Sequence, residues 1–99
     1  MRLTESQVQI IKQVVTMLAG DGAQVTLFGS RVDDDKKGGD VDLLVTVSDE
    51  VVHPAELSPK ISARLMRLFQ GRKVDVLLSA PNLKTLPIHA VAMYKGVIL

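Results

Sequence analysis

Three aspartates and one Gly-Ser dipeptide are the residues of this chain best suited to chemistry. Asp40 and Asp42 flank Val41 at the head of the run DVDLLVTV, residues 40–47. In a strand, alternate residues share a face, so both carboxylates point the same way with Cα atoms roughly 6.5–7 Å apart. Val41, Leu43 and Val45 then face the other way, and Leu44 continues the carboxylate face as apolar. Like charges side by side on a strand repel and add nothing to folding. A divalent cation gains from them, because hard cations take carboxylate oxygens. Asp75 lies in Lys73-Val74-Asp75-Val76-Leu77, the one charge inside an otherwise apolar strand. If that strand pairs beside the first, at roughly 4.8 Å, three carboxylates converge. Three carboxylates can hold two metal ions about 3.5–4 Å apart, an arrangement suited to in-line displacement at phosphorus. The competing role for Asp75 is an ion pair with Lys73 or an arginine on an edge strand.

Gly29-Ser30 follows the segment Gln24 to Phe28. A Gly-Ser directly after a strand can form an anion site, because glycine lets a phosphate approach the backbone and amide and hydroxyl groups donate to its oxygens. Taken alone, the dipeptide reads as a simple strand-ending turn. Other chemical motifs fail. No G-x-x-x-x-G-K-[ST] or G-x-G-x-x-G is present. Asp33-Asp34-Asp35 with Gly38 hints at a calcium loop, but Lys37 takes the fifth position and Leu44 the twelfth, where a Glu is required. Asp33 to Asp35 therefore read as a solvated loop. His53 and His89 have no partner in sequence; His53 reads as a loop residue before Pro54, and His89 as a surface or partly packed one. Lys60, Arg64 and Arg67 line one helix face opposite Ile61 and Leu65.

The elements that must position these groups follow from periodicity and end signals. Thr4-Glu5-Ser6-Gln7 fits a capping box, and Val8, Ile11, Val14, Val15 and Leu18 repeat at helical spacing up to Gly20. Strands are expected over 24–28, 40–47 and 73–79. Ser58-Pro59 reads as an N-cap followed by proline at the first helical position, with Ile61, Leu65, Leu68 and Phe69 as the apolar stripe and Gly71 as the stop. Pro87 to Lys95 is expected as a last helix, capped by Gly96 and followed by the apolar tail Val97-Ile98-Leu99. The resulting order predicts an α/β fold, a small mixed sheet with flanking helices.

Composition bounds the rest. Ninety-nine residues, 46% hydrophobic and 23% charged, make one globular domain, residues 1–99. With 3% aromatics the core must be aliphatic, and stacking platforms for single-stranded nucleic acid are lacking. Zero cysteines exclude a disulfide scaffold and cysteine-ligated zinc. A net charge of +1 gives no field to steer the chain to nucleic acid or membrane. The distribution is uneven: Asp33 to Glu56 holds eight acidic residues and two lysines, Lys60 to Lys73 five basic residues and no acidic one. No apolar run approaches the length of a bilayer span, and the start is polar and helix-like rather than a signal peptide. A cytoplasmic location is the expectation.

Gly29-Ser30, a nine-residue spacer, Asp40-x-Asp42 followed by Leu-Leu-Val, and Asp75 on a later strand together resemble the nucleotidyltransferase superfamily that includes DNA polymerase β. The short length and the ending Ile88-His89 … Lys95-Gly96-Val97-Ile98-Leu99 resemble its minimal nucleotidyltransferase branch. The resemblance implies a palm-like fold. It implies Asp40 and Asp42 as the metal-binding pair, Asp75 as the third catalytic and metal-binding carboxylate, and Gly29 and Ser30 as the triphosphate grip. Arg31 matches the basic residue that often follows this Gly-Ser, and so joins the nucleotide-binding set. Val32 to Gly39 departs from the commonest Ala-Arg-Gly-rich version. ATP is the implied substrate, with two Mg²⁺ ions, Mn²⁺ being an alternative. Minimal nucleotidyltransferases are similar to antitoxins paired with HEPN-domain toxins, some of which transfer AMP onto a tyrosine of the toxin. A HEPN-type toxin is thus the implied protein partner, in a homo- or hetero-oligomer.

Two readings follow. The first is a metal-dependent transfer of AMP from ATP to an acceptor, with the acceptor supplied by a partner protein, because 99 residues make up only a catalytic core. The second is a catalytically weak or silent module that neutralises a toxin by covering its surface. A third, transfer to a small molecule such as an antibiotic, lacks an acceptor domain.

Overall fold

The first helix, α1 (Glu5–Ala19), is defined by its ends. Thr4 Oγ1 accepts from the Gln7 N–H at 3.1 Å, and Gln7 Oε1 accepts from the Thr4 N–H at 2.9 Å, which is the reciprocal capping box expected. Gly20 ends it with φ of 103°, in the region that glycine enters without steric cost. Between these ends Ile11, Val14 and Val15 form the buried stripe. The structure is a computed structural model that describes residues 3–28, 41–83 and 96–99. The expected last helix over 87–95 and the segment 31–39 lie outside the described residues.

Among the described residues, four strands make one mixed sheet: β1 (Gln24–Phe28), β2 (Val41–Thr46), β3 (Val74–Ser79) and β4 (Val97–Ile98), in the order β3-β2-β1-β4. β1 runs antiparallel to β2 and β4, whereas β2 and β3 are parallel. A parallel pair needs a long crossover, and α2 (Pro54–Leu68) supplies it. The expected α/β architecture is therefore present. One face of the sheet carries Val25, Leu27, Val41, Leu43, Val45, Val74 and Leu78, all buried with Ile11, Val14, Val15, Ile61 and Leu65 of the helices.

Three local features differ from the sequence reading. α2 begins at Pro54 rather than after Ser58. Two prolines carry the same start signal, and the earlier one takes it: the Glu56 and Leu57 N–H groups donate to the His53 carbonyl at 3.1 and 3.0 Å. Pro59 then lies inside the helix, and the Ser58 hydroxyl is used elsewhere, donating to the Val76 carbonyl at 2.7 Å. Ser62, one turn on, donates to the Val74 carbonyl. The Val41 and Val47 N–H groups bond Lys73 and Ser79, so by alternation the Val74 and Val76 carbonyls point away from β2. The two serines thus satisfy acceptors on an open sheet edge, one way that proteins blunt an edge strand.

At its other end, α2 stops through a Schellman arrangement, with Gly71 N–H bonded to Met66 O at 2.7 Å and Gln70 N–H to Arg67 O at 3.3 Å. Both Gln70 (φ 57°) and Gly71 (φ 85°) are left-handed there. This turn leaves Leu68, expected in the buried stripe, 48% exposed. Finally, the tail expected to be merely apolar is β4, fixed by a Leu99 N–H bond to the Val25 carbonyl at 2.9 Å.

The loops after β2 and β3 are clasped at the opposite end of the sheet from the first residues of those strands. The Asn82 amide accepts from the Val51 N–H at 3.0 Å and donates to the Val51 carbonyl at 2.9 Å. Val51 itself is buried.

Candidate active site

Parallel pairing of β2 with β3 sets Asp42 directly beside Asp75, and antiparallel pairing of β1 with β2 sets Phe28 beside Asp42. Residues in register on neighbouring strands share a face, with strands about 4.8 Å apart. One row across the sheet therefore reads Phe28, Asp42, Asp75. It lies at the last residue of β1 and near the first residues of β2 and β3. The face opposite the helices carries it.

Asp42 is half-buried and Asp75 is 52% exposed on the outermost strand. The Lys73 ammonium stands 4.0 Å from Asp75 Oδ2 and is itself 63% exposed. An ion pair so exposed is worth about 0–1 kcal/mol, so it leaves the carboxylate available to a stronger cation. It is also the alternative partner that the spacing allowed for Asp75.

Asp40, Gly29, Ser30 and Arg31 lie outside the described residues, as does His89. Among the described residues no group of three or more His, Cys, Asp or Glu side chains is gathered for a metal. Two of the three predicted carboxylates are described, and they are brought together. Their chemistry fits a hard divalent cation: oxygen donors, in register, on one face, with no soft ligand among them.

His53 is the residue preceding α2 and makes no side-chain cap bond. It helps to line a shallow cleft of about 240 Å³ with Leu18, Val51, Glu56, Leu57 and Lys60, beside the start of α2 and away from the carboxylates. Sequence reasoning missed the Ser58 and Ser62 contacts with β3. The signal was there: two serines at i and i+4 on the same flank as Ile61 and Leu65, where solvent-facing residues were not required.

A family model described as a nucleotidyltransferase domain matches residues 8–88. The chain belongs to the nucleotidyltransferase domain family. The match contains Gly29, Ser30, Asp40, Asp42 and Asp75 and stops short of β4. No curated protein matches the chain. A general role in nucleotidyl transfer follows, and such domains generally use a nucleoside triphosphate with divalent metal. Within this nucleotidyltransferase domain, the mixed sheet with two helices on one face is the frame that presents the carboxylate row. Among the described residues, no helix is long and apolar enough to cross a membrane.

Proposed function

We propose that this domain transfers AMP from ATP to a hydroxyl of a partner protein, as the antitoxin of a HEPN-type pair. The observation that carries the reading is the register of Asp42 with Asp75, which sets two like charges side by side on neighbouring strands. Asp40, Asp42 and Asp75 would hold divalent cations, which would supply neutralisation of the phosphate charge and stabilisation of the departing pyrophosphate. Gly29 and the Ser30 hydroxyl donate to the triphosphate, and Arg31 adds charge to that grip. The acceptor oxygen forms a bond to the α-phosphorus as the bond to the β-phosphate bridge breaks. Its proton passes to one of the three carboxylates, and pyrophosphate leaves.

The Lys73–Asp75 contact favours a second reading, a silent module that inhibits its partner by coverage alone. One experiment separates the two. The domain is incubated with α-labelled ATP, Mg²⁺ and the HEPN-type partner. Label on the partner, lost in chelator, supports transfer. Complete inhibition of the partner with no nucleotide present and no label supports coverage.

A further inference from the structure

From Lys60 onward the outer face of α2 is cationic, and its C-terminal end leads through the next turn to β3, which carries Asp75. Lys60, Arg64 and Arg67 are all exposed and follow one another at helical spacing, a strip of about 10 Å. The turn after α2 adds Arg72 and Lys73, and Lys73 stands 4.0 Å from Asp75. Glu56 precedes the strip by one turn, and no acidic residue lies between it and Asp75 in sequence. Among the described residues, none of Lys60, Arg64, Arg67 and Arg72 makes an ion pair.

A solvated helix face normally alternates its charges, because like charges at i and i+4 repel. Here three cations are stacked with nothing of opposite sign among them. Leu68 sits on the flank of the strip, 48% exposed, because the Schellman turn leaves it out of the core. An exposed apolar residue beside Arg64 and Arg67 fits a protein contact, where Arg is enriched relative to the rest of the surface. A nucleic-acid surface would instead interleave its cations with stacking aromatics. Among the described residues the aromatics are Phe28 on β1 and Phe69, which packs partly buried against the core, so neither is on the exposed strip.

We propose that the outer face of α2 docks an acidic protein partner, with carboxylates on Lys60, Arg64 and Arg67 and an apolar side chain on Leu68. The strip then leads the partner to the edge strand that carries Asp75. This deepens the transfer reading above by giving the acceptor protein a chemistry. It is tested apart from it, because docking needs no nucleotide.

The probe is a fluorescein-labelled helical peptide rich in glutamate with leucines at i and i+4, followed by anisotropy against the full chain. Binding is expected to weaken strongly as ionic strength rises from ~0.1 M to ~1 M, over which the screening length falls from about 10 Å to about 3 Å. The double variant Arg64→Glu/Arg67→Glu is expected to lose about tenfold or more in affinity, while Lys12→Glu, an exposed cation on α1, leaves it unchanged. Leu68→Ser should weaken peptide binding severalfold. Asp42→Asn should not affect it, so a failure of the transfer reading and a failure of this one give different results. Circular dichroism melts confirm that the α2 variants stay folded. A single-stranded RNA oligonucleotide that binds more tightly than the peptide, and loses affinity in the same double variant, would overturn the proposal in favour of nucleic acid. No peptide binding, or binding indifferent to Arg64 and Arg67, would return the strip to a solvated face. Self-association by sedimentation that disappears in the double variant would mean that the occupant is a second copy.

Discussion

The two faces of the sheet are made by the same strands and follow opposite rules. Toward the helices, register gives the rows Val25–Val45–Leu78, Leu27–Leu43–Val76 and Val41–Val74. Every one of these is aliphatic, and most are fully buried. On the other face the rows change character along the strands. Phe28–Asp42–Asp75 carries charge, Thr26–Leu44–Leu77 is apolar at its centre with Leu44 at 0% exposure, and Gln24–Thr46–Ser79 is polar. A uniform face needs only one rule, exclusion of water. A face that switches from row to row is specified position by position, and the row that sets like charges side by side is where function is to be sought.

The sharpest way to break this comparison is Asp42→Asn. It keeps the volume and removes one of two charges in register, so the repulsion across the β2–β3 pair falls. Transfer is expected to drop by orders of magnitude, measured as label incorporated into the partner. In chelator the melting temperature should match or slightly exceed that of the unmodified chain. Mg²⁺ or Mn²⁺ should raise the latter, since a ligand bound only to the folded state stabilises it, and should raise the variant less. A loss of about 3–5 kcal/mol in chelator would instead mean that Asp42 holds a buried structural ion pair.

The helix-covered face gives the next largest effect, and it is of the other kind. Leu43, at 0% exposure in the centre of that face, is adjacent in sequence to Asp42. Leu43→Ala should cost about 2–5 kcal/mol through lost burial and a residual cavity. Denaturant melts would show it. Transfer measured well below the transition should survive. Loss of activity in folded Leu43→Ala protein would show that the two faces are not separable.

How far these faces were legible in the sequence differs for the same reason. Strict alternation in Val41-Asp42-Leu43 and Val74-Asp75-Val76 defined the strands to within a residue, because period two leaves one solution for a half-buried sheet. Which strands pair is not a local property, so the meeting of Asp42 with Asp75 was conditional until register was known. β4 was missed because two residues show no period. The start of α2 was misplaced because Pro54 and Pro59 both fit a first turn, and only tertiary contacts of Ser58 with β3 decide between them. The Gly-Ser dipeptide and Asp40 stood out as chemistry rather than as geometry, and they lie outside the described residues.

The far row offers a smaller and opposite effect. Thr46 Oγ1 is buried and has no hydrogen-bond partner among the described residues. An unsatisfied buried hydroxyl costs about 1–3 kcal/mol, and valine matches its shape without that debt. Thr46→Val is therefore expected to stabilise the domain by up to about 1 kcal/mol, leaving transfer and metal response unchanged. A clear destabilisation would show that the hydroxyl has a partner in solution, and that this row too is polar for a purpose.

The smallest effect decides what Asp75 is for. Both readings of Asp75 contain a cation: Lys73 at 4.0 Å in one, a divalent ion in the other. An exposed pair at the limit of contact contributes about 0.2–1 kcal/mol, and long side chains lose entropy in forming it. Lys73→Gln should thus barely move the melting temperature in chelator. The informative quantity is the response to added metal. If Lys73 is the true partner of Asp75, the ammonium and the carboxylate form a closed pair. Asp75→Asn and Lys73→Gln should then cost the same small amount, and neither should alter the metal-induced rise. If Asp75 belongs to the metal-holding row, the two variants separate. Asp75→Asn should blunt the rise, whereas Lys73→Gln should preserve or enlarge it, because removing a competing cation frees a carboxylate for the ion. Melts of both variants, with and without Mn²⁺, give four numbers, and equal responses in the two variants would assign Asp75 to the edge of the sheet rather than to its chemistry.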